Sequence, residues 1–196
     1  MTLQNFIQNN DFVGSIVLLE GKREVADGDA ESLTALGHLL AKLSRHIVFR
    51  SGNASGADYY FSLGVAEIDP SRLQIIKPYK SHRQSMPVTD DAISLDTINI
   101  ADEGEVIRQS RFNTKTAGLI DRFVSGKRDW ITLKAGYIIR DTIKVIGTSV
   151  LAPATFAIFY DDLQNPETGG TGHTQNICRQ NNVSYIDQRL WLRWLE

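Results

Sequence analysis

Apolar residues along this chain fall into two kinds of run. Short continuous runs lie at residues 15–19, 47–49, 73–76, 156–160 and 183–186. Their β-branched and aromatic make-up predicts strands. The unbroken run at 15–19 predicts a central strand covered on both faces. Longer runs repeat with helical spacing. Residues 29–44 put Leu33, Leu36, Leu40 and Leu43 on one face, with Asp27 or Asp29 placed to cap the helix. A second helix follows over Tyr59 to Val65 and is broken by Asp69-Pro70. A third, from about Trp130 to Val145, carries Ile131, Ala135, Ile138, Ile139 and Ile143 on its apolar stripe, with Arg140 and Asp141 flanking it. Residues 1–13 are polar apart from Phe6, Ile7 and Phe12, which would anchor a short leading helix. The order strand–helix–strand–helix–strand predicts an α/β sandwich whose central sheet is mainly parallel, with right-handed crossovers.

The pattern weakens from about Gln84 to Ile107, a segment with six acidic residues and no Lys or Arg. An irregular insertion or lid is expected at about 84–125, set into one domain over 1–196. Between Arg108 and Lys144 the balance reverses, with nine Lys or Arg against three Asp. Most of these basic residues are expected on solvated surface, one or two in a cleft. The tail Leu190-Trp191-Leu192-Arg193-Trp194-Leu195 is strongly apolar. It either packs back on the body or makes an oligomer contact.

Composition narrows the classes. A chain of 196 residues with a formal net charge of −2 does not read as a general nucleic-acid binder. One cysteine, Cys178, excludes an internal disulfide framework, fits a reducing compartment and reads as a small core residue. No run reaches the length of a membrane span, and the start lacks the features of a signal peptide, so a cytoplasmic location is expected.

The chemistry concentrates in two glycine-rich turns. The first, Arg50-Ser51-Gly52-Asn53-Ala54-Ser55-Gly56-Ala57-Asp58, joins a strand to a helix. The second, Gly169-Gly170-Thr171-Gly172-His173-Thr174, opens another helix after the strand at 156–160. Strand-to-helix turns expose helix N–H groups and the positive end of the helix dipole, which bind phosphate. Two such turns in one small α/β chain suggest one cleft lined from both sides. Arg23, just past the first strand, can meet an anion there or stay in solvent. His173 is a candidate ligand contact, or a cap. Asp161-Asp162 is either a solvated strand end or a seat for Mg²⁺ beside a phosphate. His38, His46 and His82 share no ligand spacing with His173, so no zinc site is expected. There is no nucleophile elbow and no Walker A sequence.

These motifs resemble the SLOG superfamily, the Rossmann-like group that joins the DNA-processing protein A (Smf) family to the Lonely Guy phosphoribohydrolases. The residues that carry the resemblance are Gly21-Lys22-Arg23, the turn from Arg50 to Asp58, Arg140-Asp141 with Val145-Ile146-Gly147, and Gly169-Gly170-Thr171-Gly172-His173. They span most of the chain and look most like small stand-alone phage- or plasmid-type members. The resemblance implies a Rossmann-like three-layer sandwich and a cleft for a nucleotide or nucleotide-derived phosphorylated ligand. Arg23, Ser51, Gly52, Asn53, Gly56, Ala57 and Asp58 would line one side of it, and Gly169, Gly170, Thr171, Gly172, His173 and Thr174 the other. The phosphoribohydrolase motif Pro-Gly-Gly-x-Gly-Thr-x-x-Glu is altered here. Thr168 stands at the proline, His173 at the threonine and Asn176 at the glutamate. An amide cannot ionise, which counts against hydrolysis of an N-glycosidic bond and leaves no catalytic residue assigned. Relatives of this kind also imply a homo-oligomer. Two alternatives stand beside the expected nucleotide binding: a hydrolase of the N-glycosidic bond of a nucleoside monophosphate, with Asp58, Asp161 or Asp162 in place of the missing glutamate, and DNA binding akin to DNA-processing protein A, disfavoured by the net charge.

Overall fold

The computed structural model describes residues 1–83, 89 and 92–196. Six strands form one sheet: β1 (Ile16–Gly21), β2 (Val48–Ser51), β3 (Leu73–Lys77), β4 (Ala92–Ser94), β5 (Phe156–Tyr160) and β6 (Ser184–Ile186). Their order is β4-β3-β2-β1-β5-β6, and every pairing is parallel. The order reverses between β1 and β5, so the crevice beyond their carboxyl ends is the topological switch point at which such sheets bind ligands.

Helices cover both faces, making the three-layer Rossmann-like sandwich that the sequence pattern predicts. Alternation along β1 decides which residue meets which layer. Val17 and Leu19 join Phe6 of α1 (Leu3–Asn10), Leu33, Leu36 and Leu40 of α2 (Asp29–Leu43) and Phe61 of α3 (Ala57–Ala66). Ile16 and Leu18 face the other layer. There they meet Val145 of α6 (Leu133–Ile146) and Ile177 and Cys178 of α7 (Gly169–Gln180). By the same alternation Glu20 falls on the α6–α7 side. The short α8 (Gln188–Trp191) places Trp191 in the first core, where its indole N–H donates to Phe159 O at 2.9 Å. The apolar tail therefore packs on the body.

The stretch from Ala92 to Val124 holds more structure than its weak pattern suggests. It contributes β4, α4 (Gly104–Ser110) and α5 (Thr114–Val124), whose Val106, Ile120 and Phe123 pack on α6. Residues 84–88 and 90–91 of the expected lid lie outside the described residues. Three local expectations change. Leu43 and Phe12 are exposed rather than core. Neither Asp27 nor Asp29 caps α2: Gly28, at φ +86°, holds the cap position, and Asp29 accepts a hydrogen bond from the Tyr160 hydroxyl. Trp130 lies before α6 and is 81 % exposed.

Candidate functional site

A cleft of about 660 Å³ opens at the switch point, above β1 and β5 and between α6 and α7. Of the residues expected to bind ligand, Arg23, Asp58, Gly169, Gly170, Thr171 and His173 line it.

The second glycine turn opens α7 at the edge of the cleft. Thr168 holds the extended cap position, and Gly169 turns the chain at φ +62°. The first helical bond runs from Gly172 N–H to Thr168 O at 2.9 Å, so the N–H groups of Gly169, Gly170 and Thr171 have no acceptor within α7. Gly172 serves packing instead: a Cβ there would lie 1.8 Å from Glu167 O. Thr174 also turns inward, its hydroxyl 2.9 Å from Glu20 Oε1. His173 Nε2 lies 2.9 Å from the Thr142 hydroxyl, and burial lowers its pKa, which favours the neutral imidazole.

In the first glycine turn several amides are engaged within the protein. Asp58, in the first turn of α3, takes two of them. Its carboxylate accepts from Gly52 N–H at 3.2 Å, Ala54 N–H at 3.4 Å and Gly21 N–H at 3.1 Å, tying β1, β2 and α3 together. Ala57 N–H donates to Lys22 O at 3.1 Å. At Gly56 a Cβ would stand 2.1 Å from Arg23 O, so this glycine admits backbone rather than ligand. Ser51 and Asn53 are buried. Arg50 points into the opposite layer, donating to Gln74 Oε1 (2.7 Å), Lys144 O (3.0 Å) and Ala152 O (2.8 Å). Lys144 O belongs to the last turn of α6, so Arg50 caps that helix from a neighbouring strand.

The cleft floor is a buried charge network that the sequence only half revealed. Lys144 Nζ lies 2.7 Å from Glu20 Oε2 and 2.9 Å from Asp141 Oδ1. Arg140 pairs with Asp141 Oδ1 at 2.7 Å and donates to Gly52 O at 3.0 Å. With Asp58 nearby, three carboxylates face two cations. Burial pushes Glu20 up to about 7 against the pull of Lys144, and Asp141 and Asp58 add to the rise. Asp141 is held below the ordinary carboxylate range; Arg140 and Lys144 overcome the effect of its burial. Arg140 and Asp141, expected to flank a buried stripe, are themselves buried. The signals for the two missed residues were the alternation carrying Glu20 to the Leu18 side, and Lys144 standing three residues after Asp141 on one helix.

The rim is basic and aromatic. Lys22, Arg23 and Lys134 border the cleft with Tyr137. The Tyr137 ring has the Arg23 guanidinium 5.6 Å and the Arg140 guanidinium 5.3 Å from its centroid. His82 packs edge-on to Tyr137 and Tyr79; burial, then Arg140, Arg83 and Arg23, push its pKa down to about 4. Asp161 and Asp162, the pair considered for Mg²⁺, instead organise their own loop. Asp161 accepts from Asp162 N–H, Glu167 N–H and Gln175 Nε2, and Asp162 from Gln164 N–H. Among the described residues no three His, Cys, Asp or Glu side chains come together as a metal site. No described helix is long and apolar enough to cross a membrane.

No protein-family model matches the chain, and no curated protein matches it. A solved structure does. It is DNA processing protein A from Helicobacter pylori, from a study of that protein's single-stranded DNA binding mode. The chain shares its fold. The identity is 16 % and the TM-score 0.51, with 91 % of this chain and 67 % of that chain covered. The likeness carries the Rossmann-like architecture described above.

Proposed function

We propose that the chain belongs to the SLOG superfamily and that its cleft binds a nucleotide or nucleotide-derived phosphorylated ligand. The observation that carries this reading is the N-terminus of α7. Three N–H groups without helical acceptors open into a cleft at the switch point, with Arg23, Lys22 and Lys134 on its rim. Phosphate would sit on Gly169, Gly170 and Thr171, and the base would lie against Tyr137. The reading stops at binding. Each carboxylate of the floor is committed, Asp58 to amides, Asp141 to Arg140 and Lys144, and Glu20 to Lys144 and Thr174. The ligand's own phosphate would carry any Mg²⁺.

A thermal-shift series with nucleoside monophosphates tests this. A ligand at 100 times its Kd adds roughly 2.7 kcal/mol, a rise of about 5–10 °C for a chain of this size. Gly170→Val should abolish the shift. Its backbone is ordinary helix and its Cβ would meet only Asp141 Oδ2, at 3.2 Å, but its side chain would cover the anion site. Wild-type affinity in Gly170→Val would overturn the assignment.

Single-stranded DNA is the second reading, favoured by the two guanidinium groups near the Tyr137 ring and by the fold shared with a DNA-binding protein. It predicts affinity that falls steeply with salt. Salt-independent binding would remove it.

A further inference from the structure

His173 lines the cleft four residues after Gly169 and three after Gly170, so it shares their face of α7, one turn further on. It stands at the threonine of the phosphoribohydrolase pattern, so that pattern assigns it no role. Its position is set from α6. Nε2 lies 2.9 Å from Thr142 Oγ1. The Thr142 hydroxyl has one proton, two lone pairs and three neighbours. Ile138 O, at 3.1 Å, can only accept, so it takes the proton. Ser110 donates to Thr142 Oγ1 at 2.9 Å, which leaves one lone pair for His173. Nε2 must therefore donate. Ile138 O is also a partner of the His173 ring, and it again can only accept. The network assigns the ring proton to Nε2.

Burial lowers the pKa of this ring against the pull of Asp141, so near neutral pH it carries one proton only and Nδ1 keeps a bare lone pair. Nδ1 has no hydrogen-bond partner among the described residues and is not enclosed. The open space that His173 borders is the cleft. One end of the cleft thus carries two complementary groups. The N–H groups of Gly169, Gly170 and Thr171 donate, and Nδ1, a helical turn away, accepts. A phosphate oxygen suits the first and is repelled by the second, lone pair against lone pair. A hydroxyl on the carbon skeleton of the same ligand suits the second.

We propose that His173 is a specificity-determining residue of the cleft, its Nδ1 accepting a hydrogen bond from a hydroxyl of a phosphate ester whose phosphate rests on the start of α7. The ligand class is then a hydroxyl-bearing phosphate ester, such as a nucleotide with free sugar hydroxyls. This rests on the cleft reading above. An internal nucleotide of a DNA strand has no free sugar hydroxyl to offer, so the inference is separate from the second reading.

The experiment compares adenosine 5′-monophosphate with its 2′,3′-dideoxy counterpart, which keeps the phosphate and the base and lacks both sugar hydroxyls, on wild type and His173→Phe. Calorimetry gives the affinities. The variant keeps a ring and removes both nitrogens, while Thr142 keeps Ser110 and Ile138 as partners, and thermal melts confirm that it folds. Wild type should prefer the hydroxyl-bearing probe about tenfold, the worth of one hydrogen bond, and His173→Phe should bind the two alike. Nitrogen-15 NMR gives a second readout. The His173 signals, assigned among the four histidines by their loss in His173→Phe, should show Nε2 protonated and Nδ1 bare, with Nδ1 shifting when the hydroxyl-bearing probe binds. Equal binding of the two probes by wild type, a preference that survives in His173→Phe, or a proton on Nδ1 would each overturn the inference and leave the cleft reading intact. If wild type binds neither probe, the cleft reading falls and this inference with it.

Discussion

Glu20 is a titratable side chain held almost wholly out of water. It is 3 % exposed, set between Lys144 and Thr174 on a floor where carboxylates outnumber cations. Retaining a proton balances that excess, which is the physical sense of its rise to about 7 from an ordinary 4.5. The sign follows. Between those pH values the unfolded chain has released this proton and the folded chain has not. The unfolded state then binds fewer protons, so stability from this group is fully present below pH 4.5 and lost as pH rises to about 7. His82 acts in the opposite sense: held neutral down to about 4, it adds stability as pH rises from 4 to its ordinary 6.5. Wild type therefore shows the difference of the two, and Glu20→Gln isolates one. Chemical denaturation at a series of pH values should find Glu20→Gln gaining stability on wild type as pH rises from 5 to 7. Parallel curves would show that Glu20 is charged throughout.

Among the elements, α2 and α3 make the closest helix contact, and two glycines permit it. A Cβ at Gly37 would lie 2.2 Å from Phe61 O, and one at Gly64 would lie 1.9 Å from Thr34 O. Backbone meets backbone at both points, so no side chain can rotate away. Gly37→Ala and Gly64→Ala should each cost about 3 kcal/mol by urea denaturation, and the double variant less than their sum, because either methyl forces the same separation. Losses below about 1 kcal/mol would mean that the helices slide cheaply. This contact matters to the site because α3 carries Asp58. It was not legible in the sequence: both glycines fall in ordinary helical periods, and the clash that fixes them comes from the other helix. β1 and β5 were legible because burial on both faces leaves an almost unbroken apolar run. β4, only Ala92-Ile93-Ser94, has no such run to show. In the site, Gly169-Gly170-Thr171 was legible because a helix start has a local chemistry. The fate of the Gly52 and Ala54 amides was not, because it depends on where the Asp58 carboxylate points.

At the scale of the molecule, the last apolar stretch is part of the fold that holds the cleft. Trp191 is fully buried against Phe61 of α3, ring centroids 5.9 Å apart, and hydrogen-bonds Phe159 O of β5. Gln188, three residues earlier, donates to Asp161 O and accepts from Asp161 N–H. Trp194 continues the seam, its ring 5.2 Å from Phe6 of α1, which itself packs edge-on to Phe156 of β5. The stretch thus joins α1, α3 and β5, and it fixes Asp161 at the cleft edge. Trp191→Ala removes the indole and leaves a cavity, and should cost about 3–5 kcal/mol. Trp191→Phe keeps most of the volume but strands the Phe159 carbonyl, and should cost about 1–3 kcal/mol. Thermal melts followed by far-ultraviolet circular dichroism distinguish the possibilities. A single transition lowered in both variants, more in Trp191→Ala, is expected. An unchanged main transition would show that the stretch is an appendage, and its sequence would then be free to serve an interface instead.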